Sequence, residues 1–169
     1  MQNTRLLTLM ALFIAIAVVG AAFVWFPAGV ARAYPIQHAV NVIAAVMLGP
    51  IPAIIIAFVT GLVRILTGTG SLLAFPGGMI GALLAGLFFS KTKRYYMASV
   101  GEVIGTGLIA PFFAVPYASI LMGTSVGAFF FLPPFFVSSV TGAAIGLLLV
   151  TRLAKSDRLS DLTKRAYTK

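Results

Sequence analysis

Six apolar runs, separated by short breaks of polar, glycine or proline residues, account for most of this chain. They cover approximately residues 6–26, 38–48, 52–66, 78–89, 97–114 and 133–151. The first run is long enough to cross about 30 Å of hydrocarbon as a helix. Of the 169 residues 60% are hydrophobic and 9% are charged, so the chain lacks the polar side chains that cover a water-exposed surface. The sequence therefore predicts an all-α integral membrane protein, a six-transmembrane-helix bundle that forms one domain over residues 1–169.

Basic residues cluster at the ends of these runs and predict the orientation of the chain. Ten of the twelve Lys and Arg residues are Arg5, three in the loop 91–94 and six in the tail 152–169. All ten fall on one side of the membrane when the N-terminus is cytoplasmic, which is the arrangement that the positive-inside rule describes. We therefore expect a multi-pass protein of the plasma membrane with cytoplasmic N- and C-termini, rather than a nucleic-acid-binding protein. Arg32 and Arg64 fall elsewhere and need another explanation.

The second, third and fourth runs are too short to cross the membrane alone. They contain about 11, 15 and 12 residues, which as helices give about 17 to 23 Å. The irregular stretches 27–37 and 67–77 both fall on the outer side in the predicted orientation. Non-helical backbone at membrane depth is tolerated where it is buried in protein or lines a watery cavity. The sequence therefore predicts structured outer loops over a binding pocket.

The supply of reactive side chains is too small for most enzymes. The chain has no cysteine, one histidine and three carboxylates, and two of the carboxylates lie in the basic tail. This excludes thiolate nucleophiles and ordinary zinc or carboxylate metal sites, which need three or more ligands. We expect a protein that binds a small molecule, has no catalytic residue, no metal and no cofactor of its own, and takes any ATP energy from a partner subunit.

Polar and aromatic residues of the apolar body are the candidate binding residues, because an ionisable group within the membrane is by default a functional hypothesis. Flat rings could sandwich a flat ligand while the polar groups form hydrogen bonds to it. The candidate substrate-binding residues are Trp25, Tyr34, Gln37, His38, Asn41, Arg64, Phe75 and Glu102.

Simpler interpretations exist for some of these candidates. Arg64 could snorkel to the outer interface, where Trp25 and Tyr34 could be belt aromatics. Glu102 follows the basic loop closely, so it is predicted nearer the inner side, where it could pair with Lys93 or Arg94.

Pairs of small residues four positions apart recur along the chain and allow helices to approach closely. Most are expected to serve internal packing. Ala11 and Ala15 differ because they lie on the cytoplasmic half of the first run, where a second protein could dock.

Three segments resemble a known family of membrane proteins. They read WFPAGVARAYPIQHAVNVIAAVMLGP, RILTGTGSLLAFPGGMIGALLAG and GEVIGTGLIA. With the six short runs, they resemble the substrate-binding S-components of energy-coupling factor (ECF) vitamin transporters, and more specifically the ThiW type. The resemblance implies an outward-facing pocket for a thiamine precursor, foremost hydroxyethylthiazole. It also implies a transmembrane coupling protein that contacts Ala11 and Ala15, two cytoplasmic ATPases that use the ATP, and toppling of the S-component to release substrate inward.

Three other functional classes stay open at this point. A small proton-coupled transporter could use Glu102 as its proton site. An integral-membrane transferase could use His38 and Glu102 as acid and base, but the predicted topology places them toward opposite sides, beyond the reach of about 3 Å that proton transfer needs. A purely structural subunit would leave the polar residues of the loops without a purpose.

Overall fold

The computed structural model describes residues 3–29, 31–121 and 127–155, together with Gly123 and Thr163. Its helices are α1 (Asn3–Phe23), α2 (Pro35–Leu48), α3 (Pro50–Leu66), α4 (Ala74–Thr92), α5 (Tyr95–Glu102), α6 (Ala110–Pro116) and α7 (Ala128–Leu153). Two π-helical segments, π1 (Val103–Ile109) and π2 (Tyr117–Leu121), join α5 and α6 into one helical span, Tyr95–Leu121. The short strands β1 (Phe26–Ala28) and β2 (Ala31–Ala33) form an antiparallel hairpin between α1 and α2.

Four helical spans are long and apolar enough to cross a membrane. They are Thr4–Phe23, Ala74–Thr92, Tyr95–Leu121 and Phe129–Leu153, and α2 and α3 are shorter apolar helices. The all-α membrane fold that the sequence predicts is confirmed. Compared with these four spans, α2 and α3 are short, and they lie next to the hairpin and to the segment 67–73, which we call the roof segment.

A single residue turns α2 into α3. Gly49 has a φ of 92°, a left-handed conformation that favours glycine, and its N–H donates to the Ala45 carbonyl. Pro35 and Pro50 are the first residues of α2 and α3. At that position an N–H group would have no partner within the helix, so its absence in proline costs nothing. This sharp turn keeps the two short helices side by side under the hairpin and the roof segment.

Glycines bring α4 and the α5–π1 segment into direct backbone contact. A Cβ added at Gly105 would lie 2.7 Å from the Gly81 Cα and 2.7 Å from the Ile80 carbonyl oxygen. On the other side of the bundle, Gly142 and Gly146 of α7 lie against α2. Helices that approach this closely have no room for large side chains between them, and the polar side chains of the site occupy the same layer.

The helices extend beyond several of the predicted limits. The fourth helix begins at Ala74 rather than residue 78, so the end of the predicted loop 67–77 is helical, and the fifth span runs over Tyr95–Leu121 rather than 97–114. The last helix begins at Ala128 rather than at Pro133, and both Pro133 and Pro134 lie inside it. The limits were placed at glycine and proline, which interrupt helices in water. In hydrocarbon the backbone polar groups must be satisfied internally, which favours continuing the helix.

Two further predicted limits change as well. The predicted loop 27–37 contains the hairpin and the first residues of α2, so Gln37 is helical and α2 begins three residues before the predicted run 38–48. The basic tail is described to Lys155, and its remainder lies outside the described residues apart from Thr163.

The close contact at Gly105 predicts a large effect for a small substitution. Gly105→Ser should destabilise the protein by about 1–3 kcal/mol, because the added atoms meet the backbone of α4, which cannot move aside as a flexible side chain can. Thermal unfolding in detergent measures the effect. Gly127→Ser is the matched control, since a Cβ there would have none of the described residues within 4 Å and its φ of −79° suits any residue. Equal melting temperatures for the two variants would contradict the close packing of α4 against π1.

Candidate substrate-binding site

A cavity of about 330 Å³ lies at the end of the bundle that carries the hairpin and the roof segment. Its walls come from β2, the start of α2, the end of α3, the start of α4, π1 and α7. Polar side chains at its surface are those of Arg32, Tyr34, Gln37, His38, Arg64, Thr69, Ser71, Thr106 and Ser138. The cavity thus lies beneath the loops where the short helices predicted it, with a surface that is part polar and part apolar.

Arg64 holds the upper part of this cavity together. Its side chain is 2% exposed, and its Nη1 donates to Gln37 Oε1 while its Nη2 donates to the Thr69 carbonyl at 2.9 Å. The guanidinium carbon also lies 3.9 Å from the centre of the Tyr34 ring, within the range of a cation–π interaction. One side chain therefore connects α3, α2 and the roof segment. The interpretation of Arg64 as a snorkelling residue is wrong, because the guanidinium is enclosed by protein.

A buried carboxylate lies behind the floor of the cavity. Glu102 is 0% exposed, and its Oε1 lies 2.8 Å from His38 Nδ1, 3.1 Å from Asn41 Nδ2 and 2.9 Å from Thr106 Oγ1. Asn41 Nδ2 also donates to the Gly78 carbonyl at 3.1 Å. We call His38, Asn41, Glu102 and Thr106 the Glu102 cluster. His38 and Thr106 reach the cavity surface, while Asn41 and Glu102 support them from behind.

The π-helical turn places Thr106 in this cluster. The Ala110 N–H donates to the Gly105 carbonyl, five residues earlier, and Pro111 has no N–H to continue the ordinary ladder. The widened turn lets Thr106 Oγ1 contact both Glu102 and the Gly77 carbonyl, the latter at 2.8 Å. Single π-helical turns of this kind are frequent at functional sites.

The suggested basic partner of Glu102 is wrong. Instead of Lys93 or Arg94, Glu102 pairs with His38. Because α5 begins at Tyr95, the seven residues to Glu102 raise the carboxylate by about 10 Å from the basic loop. His38 in turn lies below the hairpin, inside the bundle, because α2 begins under that hairpin. The prediction that His38 and Glu102 lie toward opposite sides, too far apart for an acid–base pair, is therefore also wrong.

Trp25 and Phe75 do not line the cavity, although the sequence predicts them as binding residues. Trp25 is 41% exposed and carries the Arg32 guanidinium 4.0 Å above its ring. Phe75 packs on Phe58, with ring centres 5.3 Å apart. The helical start of α4 at Ala74 turns Phe75 toward α3, a direction that the loop prediction could not supply.

Other residues of the cavity were missed by the sequence analysis. Thr106 lies four residues after Glu102, a spacing that places both on one helix face and was the available signal. Ser138 accepts a hydrogen bond from the Tyr34 N–H at 2.8 Å, and Phe135 supplies an aromatic wall. Both lie on α7, where no local pattern marks them, because they face the cavity only through the packing of α7 against α2.

The small pair Ala11 and Ala15 lies on an exposed face of α1. The buried face of the same helix carries Met10, Phe13 and Ala17, which pack into the core. Most other small pairs behave differently, since glycines such as Gly105 and Gly146 lie against neighbouring helices. Ala11 and Ala15 thus leave a shallow, accessible surface on α1.

Comparison with known families identifies the chain. A family model described as thiamine-precursor transporter protein (ThiW) matches residues 7–156, nearly the whole chain. The chain belongs to the ThiW family. No curated protein matched the sequence. Membership means that this is a membrane protein that transports a thiamine precursor, and not an enzyme. The transferase alternative therefore fails, even though His38 and Glu102 are in contact, and the cavity is the natural candidate for the substrate site of this ThiW protein.

The hydrogen bonds of Asn41 in the Glu102 cluster predict that even an isosteric substitution of this residue lowers the stability of the protein. Asn41→Asp should lower the free energy of unfolding by about 1–3 kcal/mol, because it removes the donor to the Gly78 carbonyl and faces Glu102 with a second carboxyl. Thermal unfolding of Asn41→Asp, Asn41→Ala and the wild-type protein in the same detergent measures it. A smaller loss for aspartate than for alanine would show that Asn41 serves by its volume rather than by its N–H groups.

Proposed function

We propose that this ThiW protein is the substrate-binding S-component of an ECF-type importer and that it captures hydroxyethylthiazole in the cavity between the roof segment and the Glu102 cluster. The observation that carries the proposal is the cavity itself. Its volume of about 330 Å³ is at the small end of the range of about 300–1,000 Å³ for ligand sites. That size favours a precursor with one ring over thiamine, which has two.

The lining suits a neutral heteroaromatic ligand with a hydroxyl group. Tyr34 and Phe135 offer ring faces or edges. Gln37 uses its Oε1 for Arg64, which leaves its Nε2 to donate to a ligand acceptor such as a ring nitrogen. His38 keeps one ring nitrogen for the ligand because Nδ1 contacts Glu102. A wrong ligand that leaves one of these buried groups unpaired would lose about 1–3 kcal/mol.

The distribution of basic residues supports an outward-facing cavity. The loop 91–94 and the end of α7 lie at the end of the bundle opposite the hairpin, so under the positive-inside rule the cavity would face the outer side and both termini would lie in the cytoplasm. In a protein of the plasma membrane, substrate would enter from outside beneath the hairpin and the roof segment.

Partner subunits would supply the energy. The exposed face with Ala11 and Ala15 is a suitable contact for a transmembrane coupling protein, because small residues let a partner helix approach closely. Two cytoplasmic ATPases joined to that coupling protein would bind the ATP, and this chain would need no cofactor. ATP hydrolysis would then topple this subunit and release the substrate inward.

The substrate assignment predicts a rank order of affinities. The purified protein should bind hydroxyethylthiazole more tightly than hydroxymethylpyrimidine, and thiamine at least about tenfold more weakly, because a cavity at the small end of the range for ligand sites suits one ring better than two. Isothermal titration with the three compounds measures the order. Binding of none of them would reject the substrate, and tight binding of thiamine would reject the argument from size.

The docking surface predicts a separation of binding from transport. Replacing both Ala11 and Ala15 by Leu should abolish co-purification with the coupling protein and abolish uptake, while ligand affinity stays within about twofold of the wild-type value. Ala22→Leu is the matched control, since Ala22 is also exposed on α1 but lies near the hairpin. Loss of ligand binding in the double variant would show that the two alanines support the fold of the chain instead.

A proton-coupled transporter that uses Glu102 is the second candidate. The observation that favours it is that Glu102 Oε2 is buried and has no hydrogen-bond partner among the described residues, so a proton could occupy it. Uptake in cells distinguishes the two functions. Uptake that stops when the partner ATPases are deleted supports the ECF importer, whereas uptake that survives the deletion and stops when an ionophore dissipates the proton gradient supports proton coupling.

A further inference from the structure

We propose that Glu102 is a positioning residue that acts on the ligand through His38. It holds the imidazole with its proton on Nδ1, so that Nε2 faces the cavity as a hydrogen-bond acceptor and selects a ligand group that donates, such as a hydroxyl or a primary amine. The inference rests on the proposed function in that the cavity is the substrate site. It adds the chemical class of the group that the floor of the cavity recognises.

Asn41 establishes the direction of the hydrogen bonds in the Glu102 cluster. The same terminal atom of Asn41 lies 3.1 Å from the Gly78 carbonyl oxygen and 3.1 Å from Glu102 Oε1. A backbone carbonyl can only accept, so this atom is the amide nitrogen, and its second hydrogen points at Glu102. Glu102 Oε1 is therefore an acceptor in this cluster.

His38 completes the surroundings of the same oxygen. Its Nδ1 lies 2.8 Å from Glu102 Oε1, and Thr106 Oγ1 lies 2.9 Å from it. The single Thr106 hydroxyl hydrogen is shared between this oxygen and the Gly77 carbonyl at 2.8 Å, so the firm donor to Oε1 is Asn41. An oxygen that accepts from Asn41 is poorly suited to carry a proton itself, so the proton between Glu102 and His38 belongs on Nδ1. The second oxygen, Oε2, is enclosed near Gly81 and does not take part in this contact.

The cations of the cavity wall favour the neutral form of His38 over the imidazolium. Arg32 and Arg64 both line the cavity, and among the described residues that line it there is no carboxylate. A protonated His38 would add a third positive charge at this wall, which disfavours it. Nε2 is then left with its lone pair directed at the ligand.

The consequence for recognition is specific. The ring nitrogen and sulfur of hydroxyethylthiazole only accept hydrogen bonds, so its hydroxyl hydrogen is the one group that can serve Nε2. Gln37 Nε2, a donor, is available for the ring nitrogen. The two groups together would define the orientation of the ligand in the cavity.

The tautomer can be measured on the ligand-free protein, because His38 is the one histidine in the sequence. Protein labelled with 15N in histidine would give a single imidazole pattern in a long-range 1H–15N spectrum at neutral pH. We expect a protonated Nδ1 and an unprotonated Nε2. A protonated Nε2, either in the opposite tautomer or in the imidazolium, would overturn the proposal.

Two variants of Glu102 test whether the carboxylate is responsible. Glu102→Gln keeps an acceptor oxygen beside Asn41 and His38 and should keep the Nδ1 proton, whereas Glu102→Leu removes the acceptor and should shift His38 toward the Nε2-protonated form. The same pattern in both variants would overturn the role of Glu102. The leucine variant removes a buried polar group, so the glutamine variant provides a second test: a protonated Nε2 in Glu102→Gln would also overturn the role of Glu102 as the acceptor for Nδ1.

Ligand binding completes the test with a matched pair of probes. Hydroxyethylthiazole and its O-methyl ether differ in the donor hydrogen, and the ether should bind the wild-type protein about tenfold more weakly. Equal affinities would overturn the donor-selective floor. If neither thiazole binds while the Nδ1 proton is observed, the substrate proposal fails and the positioning role of Glu102 is supported, so the two failures are distinguishable.

Discussion

The burial of one carboxylate in the centre of the bundle constrains most of this structure. An ion removed from water costs several kcal/mol unless donors surround it. Glu102 meets that requirement with His38 and Asn41 from α2 and Thr106 from π1. For these groups to meet, α2 must begin inside the bundle and π1 must lie directly on α4. The hairpin above α2 and the glycines between α4 and π1 are the structural means of satisfying both conditions.

Arg64 is the buried basic residue in the upper part of the cavity, next to the roof segment. Its guanidinium is held by a side-chain amide, a backbone carbonyl and an aromatic ring, and Glu102 contacts His38 rather than Arg64. The two buried groups are therefore each satisfied by neutral partners rather than by each other. The cavity lies open between the Glu102 cluster and the roof segment.

Binding and docking surfaces are separated along the molecule. The cavity lies under the hairpin, whereas the exposed small residues Ala11 and Ala15 lie on the first half of α1. Because the core side of α1 carries Met10, Phe13 and Ala17 while Ala11 and Ala15 are exposed, a partner could use the exposed face without disturbing the Glu102 cluster. This arrangement suits a transporter subunit of the ThiW family whose energy would come from other chains.

The sequence by itself determined the class of the protein, because the length and composition of apolar runs are direct consequences of the thickness and polarity of the bilayer. It also indicated a cavity beneath the loops, since helices as short as α2 and α3 leave part of the membrane to other structure. It identified His38, Asn41, Arg64 and Glu102 as polar or ionisable residues that are energetically costly to place within the membrane and therefore need a structural or functional reason. The tertiary structure alone decided which of them meet. Helix ends depend on packing as well as on glycine and proline, so the contact of Glu102 with His38, the turn of Phe75 toward α3 and the approach of Ser138 followed from contacts between distant parts of the chain, which local sequence patterns do not encode.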